Sequence, residues 1–471
     1  MRKVLSVTSE CVPFIKTGGL ADVAGALPGA VAAHGWEMRT LLPAYPGLVE
    51  KTGAKEVVWS SDDLFGGKAR VLAAPDSHLM LLEAPHLYDR RGGPYGDPRD
   101  YWDNPQRFAA LSWAAAEIGF KGLTDGWQPE VIHAHDWQAG LAPAYSRFGS
   151  SPAKSVMTIH NIAFQGIAPA ALLGTLRLPY EAFHRDMLEY WGNISTLKAG
   201  LMTADAITTV SPTYANELMR TEFGMGLNGV IASQAHKMSG ILNGIDTEVW
   251  DPMMAAHPYS AKSMTGKAKN RAALLAEFGM TDSGGPLAIV VSRLTGQKGI
   301  DLICDTAPDF IANGGMLAVL GSGDGGLEHR LSVLAHHHQG AVGLRIGYDE
   351  ALSHRMFEGG DAVLVPSRFE PCGLTQLYGL RYGTVPVVAL TGGLADTVID
   401  ANPMALADKV ATGLQFHPVD ALAFRQALRR LVSLYGQKKV WTNIQKRGMT
   451  QALGWETSSA RYVEIYESLT A

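Results

Sequence analysis

The stretch Val363-Leu364-Val365-Pro366-Ser367-Arg368-Phe369-Glu370-Pro371-Cys372-Gly373-Leu374-Thr375-Gln376 passes through three patterns in one short span. Its opening run is apolar and rich in Val, as expected of a strand buried in a parallel sheet. Its centre is a turn holding one carboxylate, Glu370, braced by Pro371 and Gly373. From Leu374 to Leu380 the pattern is helical. Glu370 is thereby placed at the carboxyl end of a strand and ahead of a helix, where open α/β sheets bind ligands. A capping carboxylate in an ordinary turn would look the same, so its neighbours must decide.

Working outward, short Val/Ile/Leu runs alternate with amphipathic stretches along the whole chain. Runs at 4–7, 38–42, 79–82, 131–134, 156–159 and 206–210 read as strands of one sheet. Runs at 289–292, 317–320, 344–346, 362–365 and 385–389 read as strands of a second. Most are followed by a turn and a helical pattern, which predicts βα units and parallel sheets. The segment Gly240-Ile241-Leu242-Asn243-Gly244 separates the series, and a polar, Met- and Lys-containing segment follows it to about Lys269. This predicts an N-terminal domain over 1–242 and a C-terminal one over 243–456. A final helix within 457–471 has no strand to serve and is expected to pack back on the first domain.

The totals bound the function. A chain of 471 residues is too long for one core. A net charge of −5 argues against nucleic acid or an anionic membrane as partner. No apolar run approaches a membrane span, and the run after Met1-Arg2-Lys3 is too short for a signal peptide. Cys11, Cys304 and Cys372 lack paired spacing, which implies reduced thiols, a cytoplasmic location and no zinc site.

One turn occurs twice. Thr17-Gly18-Gly19-Leu20-Ala21-Asp22 follows the first strand, and Thr391-Gly392-Gly393-Leu394-Ala395-Asp396 follows a late one. Paired glycines let backbone approach a ligand, and the next helix offers free N–H groups. The echo implies two Rossmann-like halves facing each other across a cleft. Lys16, just before the first pair, suits a phosphate. Arg293 and Lys298 occupy a loop at a strand end and could neutralise a departing pyrophosphate. No Asp-x-Asp pair occurs anywhere, so such a leaving group would depend on these fixed cations rather than on a metal ion.

Other polar groups fall at strand ends. His133-Ala134-His135-Asp136-Trp137 ends one run and Thr158-Ile159-His160-Asn161 the next. Alternate residues of a strand share a face, so His133 and His135 could in principle bind a metal. No further ligands follow at usual spacing. Asp136 and His160 are read as facing the cleft, and His135 as structural. Gly321-Ser322-Gly323-Asp324-Gly325-Gly326 contains G-x-G-x-x-G and supports a second reading, a dinucleotide-dependent oxidoreductase using Gly321, Gly323 and Gly326. The acidic residue expected at the next strand end has no clear place, Asp349 coming later. Tyr348 could stack on a base or belong to the core.

Taken together, Lys-Thr-Gly-Gly-Leu, His-Asp-Trp, Thr-Ile-His-Asn, Ser-Arg-Leu-Thr-x-Gln-Lys-Gly, Pro-Ser-Arg-Phe-Glu-Pro-Cys-Gly-Leu-Thr-Gln and the late Thr-Gly-Gly-Leu resemble the bacterial glycogen synthase and plant starch synthase family over essentially the whole chain. The resemblance implies an α/β GT-B architecture and a retaining transfer of glucose from ADP-glucose to the non-reducing end of an α-1,4-glucan, without a cofactor. It places Lys16, Gly18 and Gly19 at the donor and Arg293 and Lys298 at its phosphates. Glu370 and His160 would stand at the reacting sugar, with Cys372, Gly373, Leu374 and Thr375 close by. Asp22, Asp136 and Asn243 would line the sugar side, Tyr348 the adenine, and Tyr95 the donor sugar or acceptor. Members commonly carry Arg just before the late Thr-Gly-Gly-Leu, where this chain has Leu390. The opening directly on the first strand fits the bacterial rather than the plastid form. A non-catalytic glucan- or nucleotide-binding protein is a third reading, against which the intact set of Lys16, Arg293, Lys298 and Glu370 argues. Oligomeric state leaves no trace in the sequence.

Overall fold

A computed structural model describes residues 1–75, 77–96 and 99–471. The chain forms two compact units, Met1–Gly244 with Trp455–Ala471, and Ile245–Gly454.

The first unit is built on a nine-stranded sheet. Arg2–Val7 lies at its centre, paired in parallel with Trp36–Pro43 on one side and Val131–His135 on the other. Beyond Val131–His135 come Lys154–Ile159, Ala206–Thr209 and Met238–Gly240, all parallel. Beyond Trp36–Pro43 comes Leu79–Glu83, also parallel. The sheet departs from the expected all-parallel form at this edge. Ala69–Ala73 and Glu56–Ser61 form an antiparallel hairpin there, with a register shift between Val57 and Trp59. Glu56–Ser61 mixes polar and apolar residues at a sheet edge, so no apolar run marks it.

The second unit is a six-stranded, all-parallel sheet. Its order across the sheet is Val342–Ile346, Met316–Gly321, Leu287–Val291, Ala362–Val365, Val385–Ala389, Leu414–Phe416. Numbered within the unit, that is 3-2-1-4-5-6, the doubly wound Rossmann order. Strands 2–7, 36–43 and 79–83 of the first unit repeat it with 131–135, 154–159 and 206–209.

The four inner strands of the second sheet read as apolar runs because both faces are covered. Ala288 and Val290 point into one cluster with Phe424, Leu428 and Leu431. Leu287 and Ile289 point into another with Met356, Phe357 and Tyr382. Each fully buried Leu, Ile or Val contributes about 1.5–3 kcal/mol.

The polar segment after Asn243 also joins this core. Trp250 stacks on Tyr378 at 3.6 Å and on His354 at 3.9 Å. Lys267, in the helix Thr265–Glu277, is buried and donates to Thr384 Oγ1 at 2.8 Å and to the carbonyls of Phe357 and Glu358. Burial pushes its pKa down to about 7.

The helix Glu456–Thr470 packs in the first unit. Tyr462, Val463 and Tyr466 join Val4, Leu27, Trp36 and Met38 in one buried cluster. Among the described residues no helix is long and apolar enough to cross a membrane.

Candidate active site

The strand order fixes where each unit can bind. When order runs 3-2-1-4, the connections after strands 1 and 4 leave toward opposite faces, and a crevice opens between their carboxyl ends. In the second unit these are Leu287–Val291 and Ala362–Val365. The loop after the first carries Arg293 and Lys298, and the turn after the second carries Glu370. Lys298 Nζ stands 2.5 Å from Glu370 Oε2, with the side chains only 19% and 9% exposed. Ser367 Oγ donates to the same carboxylate oxygen at 2.9 Å. Backbone and side chain tie the loops further. Arg368 N–H donates to Gln297 O at 2.9 Å, Gln297 Nε2 donates to Phe369 O at 3.1 Å, and Arg368 grips Asp301 through two nitrogens. Arg293 is exposed, and its guanidinium makes no hydrogen bond or ion pair among the described residues, while its carbonyl accepts from Thr295 N–H at 3.1 Å and from Ser292 Oγ at 3.2 Å.

Glu370 is held from behind by the late Thr-Gly-Gly turn. Gly393 N–H donates to the carbonyls of Glu370, at 3.2 Å, and Pro371, at 3.0 Å. Gly392 has φ +45°, and a Cβ there would lie 1.9 Å from Glu370 O. A Cβ on Gly393 would lie 2.3 Å from Cys372 O. These glycines therefore serve close packing against the Glu370 turn. The expectation that both echoed turns open their backbone to a ligand fails for this copy. Cys372 is buried, and Gly373 holds φ +72°. Gln376 Nε2 donates to both their carbonyls, at 2.9 and 2.8 Å, while its Oε1 is buried without a partner. Leu374 and Thr375 open the helix Thr375–Arg381. Tyr348 follows the strand Val342–Ile346 and is 83% exposed, its hydroxyl 3.2 Å from Glu350. Leu390 stands just past the strand Val385–Ala389, and its N–H donates to Phe416 O at 3.0 Å.

The first unit has the matching arrangement after Arg2–Val7. Here sequence reasoning passed over Glu10, which is 3% exposed. Its carboxylate accepts from Thr17 N–H, from Thr17 Oγ1, from Gly18 N–H at 3.1 Å and from Tyr95 Oη. Tyr95 also bonds Ser9 Oγ at 2.8 Å. The Gly18 amide is thus turned to Glu10 rather than left open. A Cβ on Gly18 or Gly19 would meet no protein atom within 4 Å. Lys16 Nζ lies 2.7 Å from Asp22 Oδ1. A carboxylate directly after the first strand, six residues before the lysine, was the available clue.

Asp136 follows Val131–His135 and is forced to φ +53°, a conformation Asp tolerates better than most residues. That geometry aims its Oδ1 at the backbone N–H of His160, at 2.6 Å, and of Asn161, at 3.3 Å. Burial drives its pKa up to about 7, and the two amides oppose the rise. His160 Nε2 meets His135 Nδ1 at 3.0 Å. Burial pushes both imidazoles down, His135 to about 3. Asn243 is buried, with Oδ1 lacking a partner.

The glycine motif at 321–326 is accounted for by packing. A Cβ on Gly321 would strike Ser292 O, and one on Gly323 would strike Leu294 O. Gly323 N–H donates to Glu328, and Asp324 caps the helix Gly325–His337. Asp349 likewise caps Glu350–Gly359. Both carboxylates thus have a structural role as helix caps.

Comparison with known proteins gives concordant results. The family model described as "Starch synthase catalytic domain" matches residues 3–233, and that described as "Glycosyl transferases group 1" matches residues 277–447. The chain is 62% identical over 473 residues to a glycogen synthase of Cereibacter sphaeroides, covering 100% of this chain and 99% of the relative. It is 56% identical over 476 residues to a glycogen synthase of Paracoccus denitrificans, covering both chains fully. The catalytic domain of starch synthase IV from Arabidopsis thaliana, solved bound to ADP and acarbose, superposes with a TM-score of 0.88 at 30% identity, covering 100% of this chain and 99% of that one. These findings overturn the oxidoreductase reading and set aside that of a non-catalytic binder. With two Rossmann-like sheets and these relatives, the chain belongs to the bacterial glycogen synthase family and is a GT-B glycosyltransferase that transfers glucosyl units in glycogen synthesis.

Proposed function

We propose that the donor is ADP-glucose, that the acceptor is the non-reducing end of an α-1,4-glucan, and that the anomeric configuration is retained. The observation that carries this reading is the Lys298–Glu370 pair at the switch point of the second sheet, with Arg293 in the same loop. Cleavage of the donor's C1–O bond leaves negative charge on the diphosphate and positive charge on the sugar. Lys298 and Arg293 stabilise the first, and Glu370 the second. A cation and an anion in contact before the reaction are already oriented, so little reorganisation accompanies charge separation. From the first unit, Lys16 with Gly18 and Gly19 is assigned to the donor, and His160, Asp22, Asp136 and Asn243 to the sugar side. Tyr95 is assigned to the donor sugar or the acceptor. Tyr348 is assigned to the adenine, with Cys372, Gly373, Leu374 and Thr375 beside the glucosyl group. The ADP named for the Arabidopsis starch synthase IV structure supports the choice of base. The acceptor hydroxyl enters on the face that the diphosphate leaves. The enzyme is assigned to the cytoplasm, needing neither metal nor cofactor.

The test supplies a maltooligosaccharide with ADP-glucose or UDP-glucose and follows the new anomeric proton by NMR. The expected product is an α-linked glucose at the non-reducing end, formed faster from ADP-glucose. A β-linked product, or preference for UDP-glucose, would contradict the proposal.

A further inference from the structure

Behind His160 a line of buried groups runs into the core of the first unit. His160 Nε2 lies 3.0 Å from His135 Nδ1. His135 Nε2 lies 3.2 Å from Ser6 Oγ. Ser6 and His135 are fully buried, and His160 is 8% exposed. Ser6 comes from Arg2–Val7, His135 from Val131–His135, and His160 follows Lys154–Ile159, so three strands meet in one file. The His133 ring lies 4.2 Å from that of His135, tilted by 36°, and is fixed by Tyr466 and Thr158, at 2.8 and 2.6 Å.

Proton counting along this file has one economical solution. Burial pushes both imidazoles well below neutrality, so each carries one ring proton near pH 7. The contact between them holds one proton, on His135 Nδ1 or on His160 Nε2. If His160 supplied it, His135 would carry its own proton on Nε2 and point it at Ser6. The Ser6 hydroxyl proton would then have no acceptor, because among the described residues His135 is its sole hydrogen-bond partner. A buried donor without an acceptor is costly. If Ser6 donates to His135 Nε2, every proton is placed. His135 then carries its proton on Nδ1 and donates to His160 Nε2, leaving the His160 proton on Nδ1. No described residue bonds that Nδ1.

We propose that Ser6 and His135 are positioning residues that hold His160 as its Nδ1–H tautomer, so that His160 offers a neutral N–H donor to a sugar oxygen. The relay is a property of the first unit. Its consequence for turnover rests on the assignment of His160 to the sugar side made above.

The test is the histidine tautomer pattern in two-bond ¹H–¹⁵N spectra of the ¹⁵N-histidine-labelled full chain, with His160 assigned by its loss in His160→Ala. Wild type is expected to show His160 protonated at Nδ1. Ser6→Ala removes the donor, and the His160 proton should move, in part or whole, to Nε2. Ser6→Thr keeps a hydroxyl and should restore the Nδ1–H form. The kcat/KM for the sugar nucleotide should fall about tenfold in Ser6→Ala and recover in Ser6→Thr. A wild-type His160 protonated at Nε2, or a tautomer indifferent to Ser6→Ala, would overturn the relay. A tautomer that moves while kcat/KM does not would confirm the relay and remove His160 from the sugar.

Discussion

Replacing Lys298 by alanine is expected to slow turnover by about 10²–10³-fold, the usual cost of deleting one fixed group that stabilises developing charge. The loss should fall mainly on kcat, because the diphosphate gains its extra charge only as the C1–O bond breaks. The same substitution leaves Glu370 buried with Ser367 as its remaining side-chain partner among the described residues. Removing one member of a buried pair destabilises by about 3–5 kcal/mol. A lower melting temperature should therefore accompany the kinetic loss, and Lys298→Arg should recover more stability than activity, since its fork cannot copy an ammonium's single contact. Diphosphate release and thermal unfolding, followed on the same preparations, check both parts. Wild-type turnover in Lys298→Ala would remove this lysine from the leaving group.

The second large effect is expected at Gly393. An added methyl would lie 2.3 Å from Cys372 O and 2.5 Å from Cys372 Cα, both backbone atoms that cannot rotate away. The turn carrying Glu370 must then shift. Overpacking of this kind costs about 1–3 kcal/mol. A displacement of about 1 Å at a reacting group costs about 10²-fold in rate. Gly393→Ala should therefore lower both melting temperature and kcat. Gly18→Ala, in the matching turn, meets open space and should melt as wild type does. Equal melting temperatures for the two variants would contradict the division of labour between the turns.

That division marks the limit of what the sequence could say. Each apolar run read as a strand is one, because a strand covered on both faces announces itself by composition alone. The hairpin Glu56–Ser61 and Ala69–Ala73 was silent, since both of its strands mix charged or polar residues with apolar ones and neither stands out by composition. Glu370 was legible as a group at a strand end because strand, turn and helix are contiguous. Its contact with Lys298 was not, because the two are 72 residues apart and are brought together by strand order. Glu10 escaped for another reason. Its partners, Thr17, Gly18 and Tyr95, lie in a turn and a distant loop that no periodicity links. Identical letters also carried different physics: Thr-Gly-Gly-Leu-Ala-Asp is open to solvent in one copy and pressed against backbone in the other.

Fixed side-chain cations, rather than a divalent metal, are proposed to carry the departing diphosphate. The most direct test is the rate of ADP release from ADP-glucose and glycogen with an excess of chelator present. The account predicts release that requires the glucan and proceeds at the same rate with chelator as without it. Release that stops with chelator and returns with added divalent ion would contradict it.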